Sequence, residues 1–183
     1  GTNFDNSNNN TISLNNIYGN TYLGVRFSNS SFNTVTSNQI NDNSNYGFKL
    51  LNSSNNIIYN NSFNNSNNAY DNGVNTWNTT KTLGTNIIGG SYLGGNYWSD
   101  YLGTDTDHDG LGNTNYTIES NNDTNPLVIS PDVSTFSPTN GSTSVSTTTD
   151  IVITFSKSMN QTTSQNNITF SPSCSYTWSN NNK

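Results

Sequence analysis

The feature that most restricts the fold of this chain is an internal repeat. Asn10, Asn33 and Asn56 lie 23 residues apart, and at the same spacing follow Ile12, Val35 and Ile58, then Ile17, Ile40 and Phe63. Val25 pairs in phase with Phe48, Phe27 with Leu50, and Ser30-Ser31 with Ser53-Ser54. Only 28% of the residues are apolar and 9% charged, a polarity that by itself reads as disordered or low-complexity chain. Disordered chain has no reason to hold apolar residues at a fixed phase, so the repeat decides for order. A period in the low twenties admits leucine-rich repeats or a parallel β-helix. The repeat here is β-branched and aromatic with Asn and Gly punctuation, which favours the β-helix.

Such a turn divides into three short strands, and successive rungs stack about 4.8 Å apart. Side-chain alternation predicts Ile12 and Leu14 inside. It also places Leu23, Val25 and Phe27 inside with Arg26 outside, and gives Lys49 the slot of Arg26 one rung on. Asn at the corners tolerates left-handed backbone and, stacked in register, forms amide ladders. The spacing predicts two: Asn10-Asn33-Asn56 and Asn15-Asn38-Asn61. Residues 1–73 therefore form the rungs.

The repeat is expected to stop after Asn72. Residues 74–130 change to Gly and aromatics, as a cap that covers the last apolar layer and the open strand edge requires. Trp77, Tyr92, Tyr97, Trp98 and Tyr101 are the expected lid. Trp98, Tyr97 and Tyr101 could alternatively form a platform for glycan. Beside them, Asp105-Thr106-Asp107-His108-Asp109-Gly110-Leu111-Gly112-Asn113 places side-chain oxygens at positions 1, 3, 5 and 9, Gly at 6 and a backbone carbonyl at Leu111. This is the first part of a calcium loop. Tyr116 stands where the bidentate Glu is usual, so Asp100, Glu119 and Asp123 are the nearest candidates for completing a structural Ca2+ site.

Charge narrows the partners. The net charge is −6, with 5 Lys+Arg against 11 Asp+Glu, which excludes nucleic acid as the main partner. No stretch approaches the roughly 20 apolar residues of a membrane span. Catalysis is not expected. A β-helix lyase needs a basic residue beside its metal, yet Arg26 and Lys49 are distant in sequence and Lys81 stands alone. A hydrolase needs facing carboxylates, and Asp5, Asp42 and Asp71 share no phase.

The rung pattern, with "GGNYWSDY" (Gly94 to Tyr101), "DTDHDGLGNTNY" (Asp105 to Tyr116) and "NPL" (Asn125 to Leu127), resembles the NosD-like parallel β-helix repeat proteins of methanogenic archaeal surfaces. The resemblance covers about Asn8 to Val128. It implies an all-β, right-handed parallel β-helix with an extracellular, adhesin-like role, and Asp105, Asp107, Asp109 and Asn113 match the family's acidic loop. The copper-maturation activity attached to the family name is not expected. Copper wants clustered soft ligands, and the chain has one each of His108, Met159 and Cys174.

Residues 131–183 shift to Ser and Thr. "SPTNGST" and "ITFSKSMN" resemble the opening of bacterial Ig-like domains of S-layer and adhesin proteins, with Ile151, Ile153 and Phe155 predicted on one strand face. About 100 residues make such a sandwich, and roughly half that number is present. Truncation is the favoured expectation; completion by strands of a neighbouring molecule, as in strand-complemented fibres, is the other. Acceptors of the Asn-x-Ser/Thr type are dense: Asn9, Asn29, Asn52, Asn60, Asn64, Asn78, Asn115, Asn122, Asn140, Asn160 and Asn167. The sequence thus points to a cell-surface structural or adhesive glycoprotein of a surface layer or filament, partnered by neighbouring copies or other surface proteins. The alternative is a carbohydrate-binding or carbohydrate-active β-helix that uses the aromatic cap and a groove beside Lys49.

Overall fold

The structure is a computed structural model that describes residues 1–129, 133–139, 141–155 and 177. Every regular element among them is a strand. The first unit spans residues 1–130 and the second residues 131–183.

In the first unit each turn contributes three strands. The first turn has β1 (Thr2–Asp5), β2 (Thr11–Ser13) and β3 (Asn16–Tyr18). The second has β4 (Leu23–Ser28), β5 (Thr34–Thr36) and β6 (Gln39–Asn41), and the third β7 (Tyr46–Leu51), β8 (Ile57–Tyr59) and β9 (Ser62–Asn64). There follow β10 (Ala69–Asp71), β11 (Thr82–Leu83), β12 (Tyr92–Leu93), β13 (Tyr97–Trp98), β14 (Tyr116–Ile118) and β15 (Asn121–Asp123). Like strands pair in parallel as three sheets, ordered β1-β4-β7-β10, β2-β5-β8 and β13-β9-β6-β3. The register is that of the sequence repeat: Ile12 lies against Val35 and Val35 against Ile58, and Ile17, Ile40 and Phe63 follow suit. A β-solenoid of about three turns results.

The interior is a set of columns. Phe4, Phe27, Phe48 and Trp77 meet edge to face at 5.2, 5.0 and 5.8 Å between successive centroids, and Val25, Phe27, Val35, Ile40, Phe48, Leu50, Ile58 and Phe63 are fully buried. Burial of this kind supplies the driving force. One inward prediction is corrected: Leu14 is 84% exposed. The three-residue strand β2 ends at Ser13, and Leu14 turns the corner with φ 60° as Ser37 (58°) and Asn60 (56°) do in the same column, which rotates its side chain out of the alternation.

The polar scaffold is more extensive than predicted. Oδ1 of Asn33 accepts both the backbone and side-chain amides of Asn10, and Asn56 repeats this with Asn33. Asn15, Asn38 and Asn61 form the second expected ladder. A third, which the sequence reading missed, joins Asn20, Asn43, Asn65 and Asn68. Its signal was present in the 23-residue spacing of Asn20 and Asn43. In all three the amide donors point toward the C-terminal end of the stack.

Stacking does not stop at Asn72. Thr76 bridges Ile57 in parallel, and β13 adds to β9 with Trp98 against Phe63. The chain makes an irregular fourth turn whose spacing departs from 23, which hid it from periodicity.

The described part of the second unit holds β16 (Val133–Ser137) paired antiparallel with β17 (Val152–Phe155). Phe136 lies opposite Ile153. Ile153 and Phe155 are half-buried, whereas Ile151 precedes the strand and is exposed, so it does not share their face as predicted. The expected remainder of the sandwich, with Met159, Cys174 and any strand completion by a neighbour, lies outside the described residues.

Candidate cation site and closing cap

The cap closes the apolar core with indoles. Trp77 is fully buried and Trp98 is 2% exposed. Trp98 stacks between Phe63 at 4.6 Å and Tyr116 at 4.2 Å, so it cannot receive a sugar and the predicted platform loses its central ring. Tyr97 is half-buried and bridges Leu127. Tyr101 packs on the core and donates its hydroxyl to the Thr114 carbonyl at 2.7 Å. Tyr92 leaves the lid altogether: it sits in the β11-β12 hairpin under the ammonium of Lys81.

Two residues expected near the cation loop instead end the ladders. Asp123 is fully buried, and its Oδ2 accepts the Asn96 backbone amide at 2.7 Å and the Trp98 indole at 2.9 Å, while Oδ1 accepts the Asn125 amide at 3.1 Å. Asn96 is itself the fourth member of the second ladder, receiving both amides of Asn61. Asp100 accepts the side-chain amide of Asn68 at 2.7 Å and the Tyr116 hydroxyl at 3.2 Å, ending the third ladder. Asp71, also fully buried, accepts Asn75 Nδ2 and Trp77 Nε1 at 2.8 Å each, and Asn75 continues the first ladder from Asn56. Each column of aligned donors thus meets a carboxylate, where an anion is favoured by the same electrostatics as at a helix N-terminus. Burial pushes the Asp123 carboxyl up to about 6, against the pull of its amide and indole donors. Burial likewise raises the Tyr116 hydroxyl, reinforced by the Asp100 carboxylate.

The acidic loop does gather its carboxylates. Carboxylate oxygens of Asp105, Asp107 and Asp109, one from each, lie within 4.8 Å of one another. The loop is shaped by its own backbone: Asp105 accepts the amides of Asp109 at 3.1 Å and Gly110 at 2.8 Å, and Asp109 accepts that of Leu111 at 2.7 Å. Gly110 turns with φ 86°, a backbone region that favours glycine. Leu111 is buried and bridges Leu127, anchoring the loop to the cap. Asn113 turns its oxygen to the Thr106 hydroxyl at 2.8 Å and its amide to Asp107 at 3.1 Å, so it braces the loop and holds the Asp107 carboxyl below its ordinary value. Glu119 is exposed at a φ 53° turn beside β14, and His108 is exposed.

Lys81 does not stand alone. Its ammonium pairs with Asp109 and lies 4.5 Å from the Tyr92 ring centroid. Hydrogen bonding to Asp109 raises its pKa.

Of the glycosylation acceptors, Asn9, Asn29, Asn52, Asn64, Asn115 and Asn122 are exposed. Asn60 is buried, with Nδ2 on Ser37 Oγ and Oδ1 on the Ile87 amide, so unlike the exposed acceptors both ends of its side-chain amide are engaged. Asn78 is half-buried and donates to Thr124. Asn140, Asn160 and Asn167 lie outside the described residues.

Fold and cap define a parallel β-solenoid closed at its C-terminal end, joined to an Ig-like domain. The chain belongs to the family described as periplasmic copper-binding protein (NosD), which matches residues 1–103, and a bacterial Ig-like domain matches residues 128–182. No curated protein and no solved structure matches the chain. The pairing of modules fits an extracellular or periplasmic surface protein. Among the described residues the clustered ligands are all hard carboxylates, with no thiolate or thioether beside them, and the imidazole of His108 is exposed, so this cluster does not resemble a copper site.

Proposed function

We propose that this chain is a non-catalytic, adhesin-like structural protein of the cell exterior, in which a calcium ion braces the acidic loop against the cap. The observation that carries the cation is the convergence of Asp105, Asp107 and Asp109 within 4.8 Å, a hard-oxygen set that suits Ca2+. Each carboxylate retains lone pairs beyond its present hydrogen bonds. The ion would compete with Lys81 for Asp109. The surface role is supported by the pairing of a solenoid with an Ig-like domain and by the exposed Asn-x-Ser/Thr acceptors, and neighbouring copies or other surface proteins are its expected partners. Calcium titration of chelated protein tests the reading: millimolar Ca2+ should raise the melting temperature of the wild type and leave Asp107→Asn/Asp109→Asn unchanged. A wild type indifferent to Ca2+ would contradict it.

A further inference from the structure

The outer face of sheet β1-β4-β7-β10 carries an arrangement that the structural role does not use. Asn3, Arg26, Lys49 and Tyr70 lie side by side in one column, successive members paired across neighbouring strands. Arg26 and Lys49 are the only cations in the first 80 residues, and the repeat puts both at one phase. Among the described residues the one ion pair is Lys81 with Asp109, so in a chain of net charge −6 these two adjacent cations have no carboxylate partner. Asp5, the carboxylate on β1, lies against Ser28.

Both head groups are held in place. Lys49 Nζ lies 5.0 Å from the Tyr46 ring centroid and 5.1 Å from that of Tyr70, and the two rings meet edge to face at 5.9 Å. Arg26 donates from Nη1 to Asn3 Oδ1 at 3.2 Å, leaving the rest of its guanidinium fork free to grip an oxyanion. Prepositioned cations lose little freedom on binding, and tyrosine rings offer flat apolar surface beside them.

We propose that this face binds an anionic polysaccharide lying along the solenoid axis, with carboxylate or sulfate groups on Arg26 and Lys49 and sugar faces against Tyr46 and Tyr70. Charge complementarity selects an anion, and the rings select a sugar chain. Two cations are too few for phosphate-driven nucleic-acid affinity. A peptide adding as a strand needs a free sheet edge, which an outer face does not offer.

The test is calorimetric titration of the full chain with polygalacturonate oligosaccharides in low salt and EDTA, so that the outcome is independent of the calcium loop. Saturable binding is expected, weakened about tenfold or more in Arg26→Gln/Lys49→Gln and in Tyr70→Ala, each with an unchanged melting temperature. Fully methyl-esterified oligosaccharide, which keeps the sugar chain and loses the charge, should bind at least about tenfold more weakly. No saturable binding, equal binding by the double variant, or equally tight binding of polyglutamate would each overturn the assignment.

Discussion

The backbone amide of Asn96 donates to Oδ2 of Asp123 at 2.7 Å, so a ladder that begins at Asn15 on the first turn ends four members later on a buried carboxylate. Without that acceptor the Asn96 and Asn125 amides and the Trp98 indole would be desolvated donors. Asp123→Ala should therefore cost about 3–5 kcal/mol in urea unfolding. Gly95→Ala attacks the same point from the other side, because a Cβ there would collide with the Asp123 carboxylate. Its cost should be similar, and the double variant should lose clearly less than the sum.

The pH response of this carboxylate has an unusual sign. Its pKa rises from 3.8 unfolded to about 6 folded, so between those values the folded state binds more protons. Its contribution to stability is fully present below pH 3.8 and lost as pH rises through 6. Relative to the non-titrating Asp123→Asn, the wild type should gain about 2 kcal/mol between pH 7 and pH 4.5. Thermal unfolding of both proteins across that range reads the difference, and parallel profiles would contradict it.

Removing the Lys81 ammonium should expose the cation preference of the loop. Lys81→Met leaves Asp109 without its cationic partner, with only the Leu111 amide on its carboxylate, so the chelated variant should melt below the wild type, and added Ca2+ should raise its melting temperature by more than it raises that of the wild type. A smaller calcium response in the variant would mean that Lys81 helps the ion rather than competing with it.

Expression in a host that glycosylates Asn-x-Ser/Thr should modify exposed acceptors such as Asn29, Asn52 and Asn64, and leave Asn60 bare because both ends of its amide are engaged. Peptide mapping by mass spectrometry reads occupancy directly, and a glycan on Asn60 of the folded protein would contradict the cap packing.

The rungs were legible because each β-branched or aromatic residue recurs at the phase that its column requires, as Ile12, Val35 and Ile58 do. The alternation failed at Leu14, where a left-handed corner turns the side chain outward. The cap was legible only in composition. Asn61 to Asn96 spans 35 residues, so no period announces that Asn96 continues a ladder, and Asp71, Asp100 and Asp123 are brought to the ladder ends by tertiary folding alone. The same holds for Lys81, which reaches Asp109 across 28 residues. The acidic loop was readable since its carboxylates are close in sequence and its backbone folds on itself, whereas of the three more distant candidates Asp100 and Asp123 found stronger partners and Glu119 faces solvent.

The central claim is that amide ladders, and not apolar columns alone, hold the turns in register. Asn38 tests it most directly: it is fully buried, its oxygen accepts both amides of Asn15, and its side-chain amide donates to Asn61 and to the Ile12 and Thr36 carbonyls. Urea unfolding of Asn38→Leu against the wild type, with exposed Asn67→Leu as control, should show a loss of about 3 kcal/mol or more for the ladder position and less than about 0.5 kcal/mol for the control. An Asn38→Leu protein as stable as the wild type would contradict the account, since the hydrophobic columns would then suffice without the ladders.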